Sequence, residues 1–308
     1  MRKPILIVGR SGQLAYELRR SLISFCPITA AEYPVLDITD RACIQKTLDS
    51  VHPSFVINAA AYTDVDRAES ETPSAFAVNA DGPGMLSAEC AARGIGMIHF
   101  STDFVFDGEK REPYLETDRP NPVNRYGASK LRGEENVLSE SEASIVFRLA
   151  WLYSDRGNNF VVKLRSWMET RDVVRVVDDQ VGNPTWSRFV ADALAQLLAK
   201  GGLDCPEDRL ADWAKRYHGV FHLSSAGEAS RYDWAQAVLQ QAPLSVRRSV
   251  RIERARTVDF RTPAVRPAYS ALNTDKIQRA FGLRIPDWRE QLASALKIES
   301  TRDRRAHV

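Results

Sequence analysis

The chain begins with a short aliphatic run that leads directly into a glycine turn. Residues Ile5–Val8 are all aliphatic, Gly9 and Gly12 follow, and three leucines then recur at intervals of four residues from Leu14. This order predicts a strand, a tight turn and an amphipathic helix. Glycines let the backbone approach a pyrophosphate closely, and the helix N-terminus offers it free N–H groups. The first 22 residues therefore predict an α/β fold with a dinucleotide site at its first turn.

A carboxylate stands at the position that selects the adenosine ribose in such folds. Glu32 follows Gly12 by 20 residues and comes directly after a second predicted strand, Ile28–Ala31. An acidic side chain there can bind the ribose 2′-hydroxyl, which favours NADH. Arg10, within the turn, offers a cation to the 2′-phosphate of NADPH instead. The sequence therefore leaves both NADH and NADPH open as the cofactor. The alternative interpretation is an ordinary strand, turn and helix with a glutamate on the surface.

Further aliphatic and aromatic runs recur at helix-length intervals along the first half of the chain. They cover residues 55–57, 97–100 and 145–149. Strands that alternate with helices predict a doubly wound parallel sheet of the Rossmann-like kind. Thr102 and Asp103 follow the second of these runs, residues 97–100, and should lie at the sheet's carboxyl edge, where open α/β sheets bind ligands.

The regular alternation of strand-like runs with helix-length segments ends after Trp151. Segments 178–184 and 256–269 are rich in turn residues, proline and arginine, which predicts a smaller and less regular lobe over the sheet's edge. We expect an NAD(P)-binding domain over residues 1–150, to which some later segments return, and a substrate-binding lobe over 151–298. Helices near 275–280 and 288–296 should complete that lobe. The charged tail, residues 299–308, is predicted to be disordered.

Composition excludes several classes of function. The 42 basic and 40 acidic residues nearly cancel, and no basic block is interleaved with aromatic residues, so nucleic acid is not an expected partner. No apolar stretch approaches 18 residues, so we expect no membrane association and a cytoplasmic location. Cys26, Cys43, Cys90 and Cys205 lack metal-ligand spacing, as do the five histidines, and no metal is expected.

The chemistry of the site is indicated by Tyr126 and Lys130. These two residues are four apart and share one face if the segment is helical. A lysine cation near the phenol would lower the pKa of Tyr126 from about 10 and make it a proton donor to a carbonyl. The spacing therefore predicts a carbonyl reductase. By itself it also fits a solvated helix face, and Thr102 also fits a strand-end hydroxyl that bonds the backbone.

Taken together, these motifs resemble the extended short-chain dehydrogenase/reductases, and more narrowly the dTDP-4-dehydrorhamnose reductases. The resemblance runs nearly end to end. The strings that carry it are Gly9-x-x-Gly12-Gln13-Leu14, Leu36-Asp37-Ile38-Thr39, Asn58-Ala59-Ala60-Ala61-Tyr62-Thr63, Val65-Asp66-x-Ala68-Glu69, Ser101-Thr102-Asp103-Phe104-Val105-Phe106-Asp107-Gly108, Tyr126-Gly127-x-Ser129-Lys130-Leu131, Arg148-x-x-Trp151-x-Tyr153, Gly157-Asn158-Asn159-Phe160, Asp178-Asp179-Gln180-x-Gly182-x-Pro184-Thr185 and Arg266-Pro267.

The resemblance implies reduction of the 4-keto group of dTDP-4-dehydro-β-L-rhamnose by NADPH or NADH, a step of lipopolysaccharide or cell-wall polysaccharide biosynthesis. It implies catalytic roles for Thr102, Tyr126 and Lys130. The implied cofactor-binding residues are Gly9, Arg10, Ser11, Gly12, Gln13, Leu14, Glu32, Asp37, Ile38, Ala59, Ala60, Ala61, Tyr62, Tyr126 and Lys130. The implied contacts to the dTDP-linked 4-keto-6-deoxy sugar are Thr63, Thr102, Asp103, Trp151, Asn159, Lys163, Arg261 and Arg266. Trp151 also fits a core position, and the two arginines also fit a solvated surface.

The sequence departs from the family pattern at a few positions. Ala15 replaces a third glycine of the turn, and Phe104 stands where the family often has tyrosine. Some relatives form a dimer bridged by magnesium. Glu17 matches one acidic position of that bridge, but Arg188 stands where another carboxylate is expected, and a cation there would repel the metal. A metal bridge is therefore not expected, and a weak homodimer stays open.

Two other functions fit the same fold. A nucleotide-sugar dehydratase or epimerase would hold NAD+ tightly, but a dehydratase needs a Thr-Asp-Glu run, and here Phe104 follows Thr102 and Asp103. A regulatory subunit of methionine adenosyltransferase shares the fold and acts as a binding partner. Such a subunit does not need the segments that the resemblance assigns to the sugar, which begin at Arg148, Gly157 and Asp178 and are all present here. The sequence also leaves open a related 6-deoxy sugar as the substrate.

Overall fold

Six parallel strands form the central sheet of the computed structural model, which describes residues 2–202 and 209–305. The strands of these residues are β1 (Ile5–Val8), β2 (Ile28–Ala31), β3 (Phe55–Asn58), β4 (Gly96–Thr102), β5 (Ser144–Leu149), β6 (Leu152–Tyr153), β7 (Val173–Val177), β8 (Val181–Gly182), β9 (Thr185–Trp186), β10 (Gly219–His222), β11 (Ala229–Ser230) and β12 (Arg251–Ala255). In the central sheet their order is β2-β1-β3-β4-β5-β10.

Helices cover both faces of this sheet. They are α1 (Gln13–Leu22), α2 (Arg41–Val51), α3 (Arg67–Ser70), α4 (Thr72–Phe76), α5 (Gly82–Ala91), α6 (Arg125–Glu140), α7 (Phe160–Thr170), α8 (Ser187–Lys200), α9 (Arg209–Arg216), α10 (Arg231–Gln241), α11 (Leu244–Ser249), α12 (Asp275–Phe281) and α13 (Trp288–Arg305). The predicted doubly wound parallel fold is confirmed.

Strand β1 shows why the sheet needs both layers. Its side chains alternate between faces, and all of them are buried. Ile5 and Ile7 pack in one cluster with α1 and α8, whereas Leu6 and Val8 pack in another with α2 and α5. A strand buried on both faces is continuously apolar, which is the pattern that identified it in the sequence.

The strand order reverses beside β1, and this reversal places the ligand cleft. The chain passes from β1 to β2 on one side and returns to β3 on the other, with Val8 paired to Ala31 and to Asn58. Loops after β1 and β3 therefore diverge at the carboxyl edge and leave a crevice between them.

A second aromatic-rich core lies beyond β5. Trp151, Trp234 and Trp288 are buried in it together with residues of α7, β7 and β12. The chain also returns to the central sheet, because β10 pairs in parallel with β5 and α12 packs in the sheet's own core. The division at residue 150 remains a prediction.

Helix α6 approaches its neighbours at backbone distance. Asn124 caps it by accepting a 2.7 Å hydrogen bond from the N–H of Gly127. A Cβ on Gly127 would lie 2.1 Å from the carbonyl oxygen of Phe104, and one on Gly133 would lie 2.0 Å from that of Asn79. The two glycines thus allow α6 to lie directly on two turns, residues 103–105 and 77–81.

The C-terminal segment differs from the expectation. Helix α13 continues into the charged run and ends at Arg305, so the prediction of disorder from residue 299 is wrong for those residues. Charged residues at the end of a helix do not interrupt its backbone hydrogen bonds. Residues 306–308 and Cys205 lie outside the described residues. None of the helices in the described ranges combines the length and apolar character needed to cross a membrane.

We predict that Gly133→Ala destabilises the protein. Alanine normally favours a helix over glycine by about 1 kcal/mol. Here the added methyl would overlap the carbonyl oxygen of Asn79, and overpacking of this kind costs roughly 1–3 kcal/mol. Thermal unfolding measures the change. As a control, Gly12→Ala should leave the melting temperature close to wild type, because no atom lies within 4 Å of its added Cβ. A melting temperature raised by Gly133→Ala would contradict the close contact.

Candidate active site

Gly9 lies where the loop after β1 passes closest to the loop after β3. Gly9 has φ 99°, a conformation that favours glycine. A Cβ at this position would lie 3.3 Å from the carbonyl carbon of Ala59 and from the nitrogen of Ala60. The small residues after β3 therefore let its loop pass close to the glycine turn, and a pyrophosphate can reach the backbone of both.

The glycine turn binds an anion in this structure, namely the carboxylate of Glu32. One carboxylate oxygen accepts hydrogen bonds from the backbone N–H of Arg10 at 3.0 Å and of Ser11 at 2.9 Å, and from the Ser11 hydroxyl at 2.8 Å. The hydrogen bonds from Ser11 are the main cause that holds the pKa of Glu32 below its usual value. Consecutive N–H groups that hold a carboxylate fit a ribose hydroxyl or a phosphate oxygen too, so the turn fits a dinucleotide.

Other cofactor-side residues predicted from the sequence lie around this crevice. Asp37 accepts hydrogen bonds from the N–H and hydroxyl of Thr39, which lower its pKa, and Ile38 is buried behind it. Leu14 is buried at the start of α1. Their contacts with the cofactor remain predictions.

The side-chain amide of Asn79 ties the loop after β3 to helix α6. Asn79 accepts from the N–H of Tyr62 at 2.9 Å and donates to its carbonyl oxygen at 3.0 Å. The same amide donates to the Ser129 hydroxyl on α6 at 3.0 Å. The Tyr62 phenol points to Glu71, to which it donates at 2.8 Å, and Thr63 is exposed. Residues 59–63 are therefore held against the helix that carries Tyr126.

Tyr126 and Thr102 meet at the carboxyl edge of β4. The Thr102 side chain lies beside the phenol of Tyr126, where its hydrogen-bonding influence on the pKa of the phenol opposes that of burial. The Thr102 hydroxyl also donates to Asp103 at 3.1 Å, and Ser270 donates to the other oxygen of Asp103 at 2.5 Å. Burial raises the pKa of Asp103 to about 6. The ring of Phe104 packs edge-to-face on Tyr126, with 6.0 Å between the ring centres.

Lys130 lies on the predicted face of α6 but does not act on Tyr126 as expected. Burial is the main influence on the phenol and raises the pKa of Tyr126 to about 12. The amine of Lys130 instead lies 3.3 Å from Nε2 of His99, a fully buried side chain of β4. The prediction of a lowered pKa for Tyr126 is therefore wrong for the ligand-free protein, because desolvation outweighs any effect of the lysine charge.

Trp151 is buried in the second core, with φ 42°. Its ring stacks on Trp234 with 5.9 Å between the ring centres, and the guanidinium carbon of Arg231 lies 3.5 Å from its ring centre. A Cβ on Gly182 would lie 2.5 Å from the indole. Packing therefore accounts for much of this side chain's surroundings, and its contact with a sugar stays a prediction.

The two arginines predicted to contact the dTDP-linked sugar have different surroundings. Arg266 forms a two-pronged ion pair with Asp66, at 3.0 and 2.7 Å, and this pair joins the loop before α12 to the loop after β3. Arg261 is exposed, as is Lys163, whose charge lowers the pKa of Asp66 together with Arg266. Contact of Arg261, Arg266 and Lys163 with the substrate therefore remains a prediction. The Arg266 guanidinium is already paired with Asp66.

Gln13 and Asn159 join the glycine turn to the second lobe. Gln13 donates to the carbonyl oxygen of Leu152 at 3.3 Å and accepts from the Ser154 hydroxyl at 3.0 Å. Asn159 caps α7 by accepting from Val162 at 3.2 Å, and it donates to the carbonyl oxygens of residues 154 and 156. Its predicted contact with the nucleotide remains a prediction.

Glu17 is buried and paired with guanidinium groups. It accepts from Arg20 at 2.7 Å and from Arg188 at 3.1 Å. The position discussed above for a metal bridge thus holds an internal ion pair. Among the described residues, no three His, Cys, Asp or Glu side chains are arranged to hold a metal ion.

Sequence reasoning missed three residues at this edge. His99 is the single polar side chain inside an otherwise apolar stretch of β4, and that interruption is a signal that could have been used. Ser270 and Arg231 carry no such signal, because they reach the site only through the fold. Ser270 is 167 residues from its partner Asp103.

We predict that Glu32→Gln shifts cofactor preference towards NADPH. The carboxylate lies in the anion-binding turn and repels a 2′-phosphate of about −1.5 to −2 charge, whereas a neutral amide does not. The affinity for NADPH should rise relative to NADH on the order of tenfold. Arg10→Ala should act in the opposite direction, because it removes a cation from the same turn. Fluorescence titration with both cofactors measures the ratio, and equal changes for the two would contradict this interpretation.

Comparison with known proteins agrees with this fold and identifies the family. The family model described as RmlD substrate binding domain matches residues 1–301. A dTDP-4-dehydrorhamnose reductase from Sinorhizobium fredii is 36% identical over 298 residues, which cover 96% of this chain and 98% of the relative. A crystal structure of a dTDP-4-dehydrorhamnose reductase from Clostridium acetobutylicum is 33% identical, with a TM-score of 0.87 over 96% of this chain and 99% of that one.

A further solved structure contains a cofactor. The dTDP-4-dehydrorhamnose reductase from Bacillus anthracis, in complex with NADP, is 30% identical, with a TM-score of 0.84 over 96% of this chain and 99% of that one. The identity to the curated relative and the span of the family model both cover nearly the whole chain. This chain belongs to the RmlD substrate binding domain family, together with the dTDP-4-dehydrorhamnose reductases.

Proposed function

We propose that this protein is an NAD(P)H-dependent reductase that converts dTDP-4-dehydro-β-L-rhamnose into dTDP-L-rhamnose. The observation that carries the proposal is the placement of the buried Tyr126 phenol beside Thr102 at the carboxyl edge of the sheet, next to a glycine turn that binds an anion. Membership of the family supports the choice of the sugar. The names and the bound NADP of its relatives support the choice of cofactor.

Tyr126 is the proton donor in this proposal. Burial raises the pKa of its phenol to about 12, so the group carries its proton at every physiological pH. A bound reduced nicotinamide would supply hydride to C4 of the sugar, and the C4 oxygen would then gain negative charge and become more basic. The phenol then gives its proton to that oxygen, which leaves an alcohol on the sugar.

Thr102 and Asp103 orient this donor. The hydroxyl of Thr102 donates to Asp103 and lies beside the phenol of Tyr126. A carbonyl oxygen placed between the phenol and this hydroxyl would accept from both, and donors already in position need no reorganisation during the reaction. Ser270 holds the carboxyl group of Asp103 from the other side and so prevents Thr102 from turning away.

We assign the cofactor to the crevice between the loops after β1 and β3. Residues of the glycine turn would bind its pyrophosphate, with Glu32 or Arg10 next to the adenosine ribose. Lys130 would donate to the ribose next to the nicotinamide. The sugar nucleotide would lie against the second lobe, near Trp151 and Arg231, and this placement supports the division of the chain near residue 150 into a cofactor domain and a substrate lobe.

The alternatives have less support at the site. A dehydratase needs a second acid beside the threonine and aspartate, but here that position holds Phe104, whose ring packs on Tyr126. A purely regulatory protein would need neither the buried donor pair nor the anion-binding turn.

A direct assay tests the proposal. The purified protein is mixed with dTDP-4-dehydro-β-L-rhamnose and with NADPH or NADH, and loss of the reduced nicotinamide is followed together with formation of dTDP-L-rhamnose. We expect stoichiometric conversion. No turnover with either cofactor, or release of a dehydrated sugar, would contradict the proposed function.

We predict that Tyr126→Phe lowers turnover by roughly 10²–10⁴-fold, because it removes the general acid and keeps the ring. Cofactor affinity and melting temperature should stay near wild type, since the substitution removes only the hydroxyl and the ring of Tyr126 still packs on Phe104. Tyr217→Phe is the matched control, because Tyr217 packs in the core of the sheet. If Tyr126→Phe retained turnover within a few-fold of wild type, another group would be the proton donor.

A further inference from the structure

His99 is the centre of a buried polar chain that the reaction described above does not use. It lies on β4, three residues before Thr102, and its ring is fully buried. Its Nδ1 lies 3.1 Å from the amide nitrogen of Asn58, and its Nε2 lies 3.3 Å from the amine of Lys130. A polar ring inside the sheet costs free energy unless its nitrogens are bonded. The positions of the three side chains are therefore interdependent.

The orientation of Asn58 fixes where His99 carries its proton. The backbone N–H of Ala60 donates to the side-chain oxygen of Asn58 at 3.1 Å, so the amide nitrogen of Asn58 faces His99. An amide nitrogen only donates, and Nδ1 of His99 must accept. Burial holds the pKa of His99 well below its usual value, so the ring is neutral and has one proton. That proton lies on Nε2, which faces Lys130.

This arrangement disfavours a charged lysine. An ammonium group has donors and no acceptor, so the N–H of His99 and a charged Lys130 present a donor to a donor across 3.3 Å. An uncharged amine would accept the hydrogen bond. Burial acts in the same direction and lowers the pKa of Lys130 to about 8.

The remaining groups around Lys130 do not reverse this preference. Glu134, one turn further along α6, favours the ammonium, but its carboxylate is bonded by the Arg148 guanidinium of β5 at 2.9 and 2.6 Å. Tyr126, one turn earlier, keeps its proton and is neutral, although Asp103 at the end of β4 acts on it. The turn packed on this part of α6 contributes the uncharged amide of Asn79.

We propose that His99 is a positioning residue that disfavours the ammonium form of Lys130 in the ligand-free protein, so that binding of the nicotinamide cofactor is coupled to uptake of a proton by Lys130. This inference rests on the proposed function, because it takes Lys130 as a ligand of the cofactor's ribose. The ribose hydroxyl oxygens would supply the acceptors that His99 does not. The amine takes one proton from solvent and becomes an ammonium, and no other bond changes.

The coupling has a defined dependence on pH. If Lys130 titrates near 8 in the free protein and above about 10 in the complex, proton uptake approaches one per cofactor at pH 9 and falls to about a tenth at pH 7. Cofactor affinity should accordingly decrease as pH rises above 8. A 2′-phosphate, with its second pKa near 6, and the carboxylates do not titrate in this range. NADH lacks that phosphate and should show the same uptake as NADPH.

Isothermal titration calorimetry of the complete chain tests this inference. NADH and NADPH are titrated at pH 7 and pH 9, each in two buffers of different ionisation enthalpy, and the difference in binding enthalpy between buffers gives the protons taken up. We expect roughly 0.8 protons per cofactor at pH 9. Binding without uptake at pH 9 would overturn the inference and leave the proposed function standing. Failure of both cofactors to bind would overturn both.

Variants separate the role of His99 from simple packing. In His99→Gln the amide oxygen has two lone pairs and can accept from both Asn58 and Lys130, so the ammonium is stabilised and proton uptake at pH 9 should be lost. The same substitution at exposed His218 should keep the wild-type uptake. A folded His99→Gln protein with undiminished uptake would overturn the role of His99. If that variant does not fold, the wild-type titration alone decides whether Lys130 is coupled to the cofactor.

Discussion

Backbone contact between helix α6 and two turns is the constraint on which the site depends. Gly127 and Gly133 lack the Cβ atoms that would clash with the carbonyl oxygens of Phe104 and Asn79. Because Tyr126 and Lys130 lie on this helix, the same contact sets their distances from β4. A helix displaced outwards by the size of a methyl group would separate the phenol from Thr102 and the amine from His99.

Burial at this edge then sets the protonation of each group. Desolvation raises the pKa of Tyr126 to about 12 and that of Asp103 to about 6, and it lowers the pKa of Lys130 to about 8. Each shift favours the neutral form, as expected where water is excluded. At neutral pH only Tyr126 is held in its neutral form, because an Asp103 pKa of about 6 leaves that carboxyl group mostly ionised and a Lys130 pKa of about 8 leaves that amine mostly protonated.

The sequence predicted the parts of this molecule that depend on local pattern. Strand β1, the glycine turn and the helix that carries Tyr126 follow from apolar runs, glycines and spacing, and they lie where expected. The surroundings of side chains could not be predicted in this way, because burial and partners come from distant segments. Arg266 is 200 residues from Asp66, and Lys130 is 31 residues from His99. Neither contact can be predicted from the spacing of residues within a short segment.

The turnover number of Gly127→Ala tests the central constraint most directly. The added methyl would overlap the carbonyl oxygen of Phe104 and push Tyr126 out of line with Thr102, so kcat should fall by roughly tenfold or more at saturating sugar and cofactor. Ala128→Gly is the control, because it weakens the same helix by about 1 kcal/mol without adding an atom. A large fall in kcat for Gly127→Ala, with the control near wild type, is the predicted result. A Gly127→Ala protein with wild-type kcat would show that the close contact does not position the proton donor.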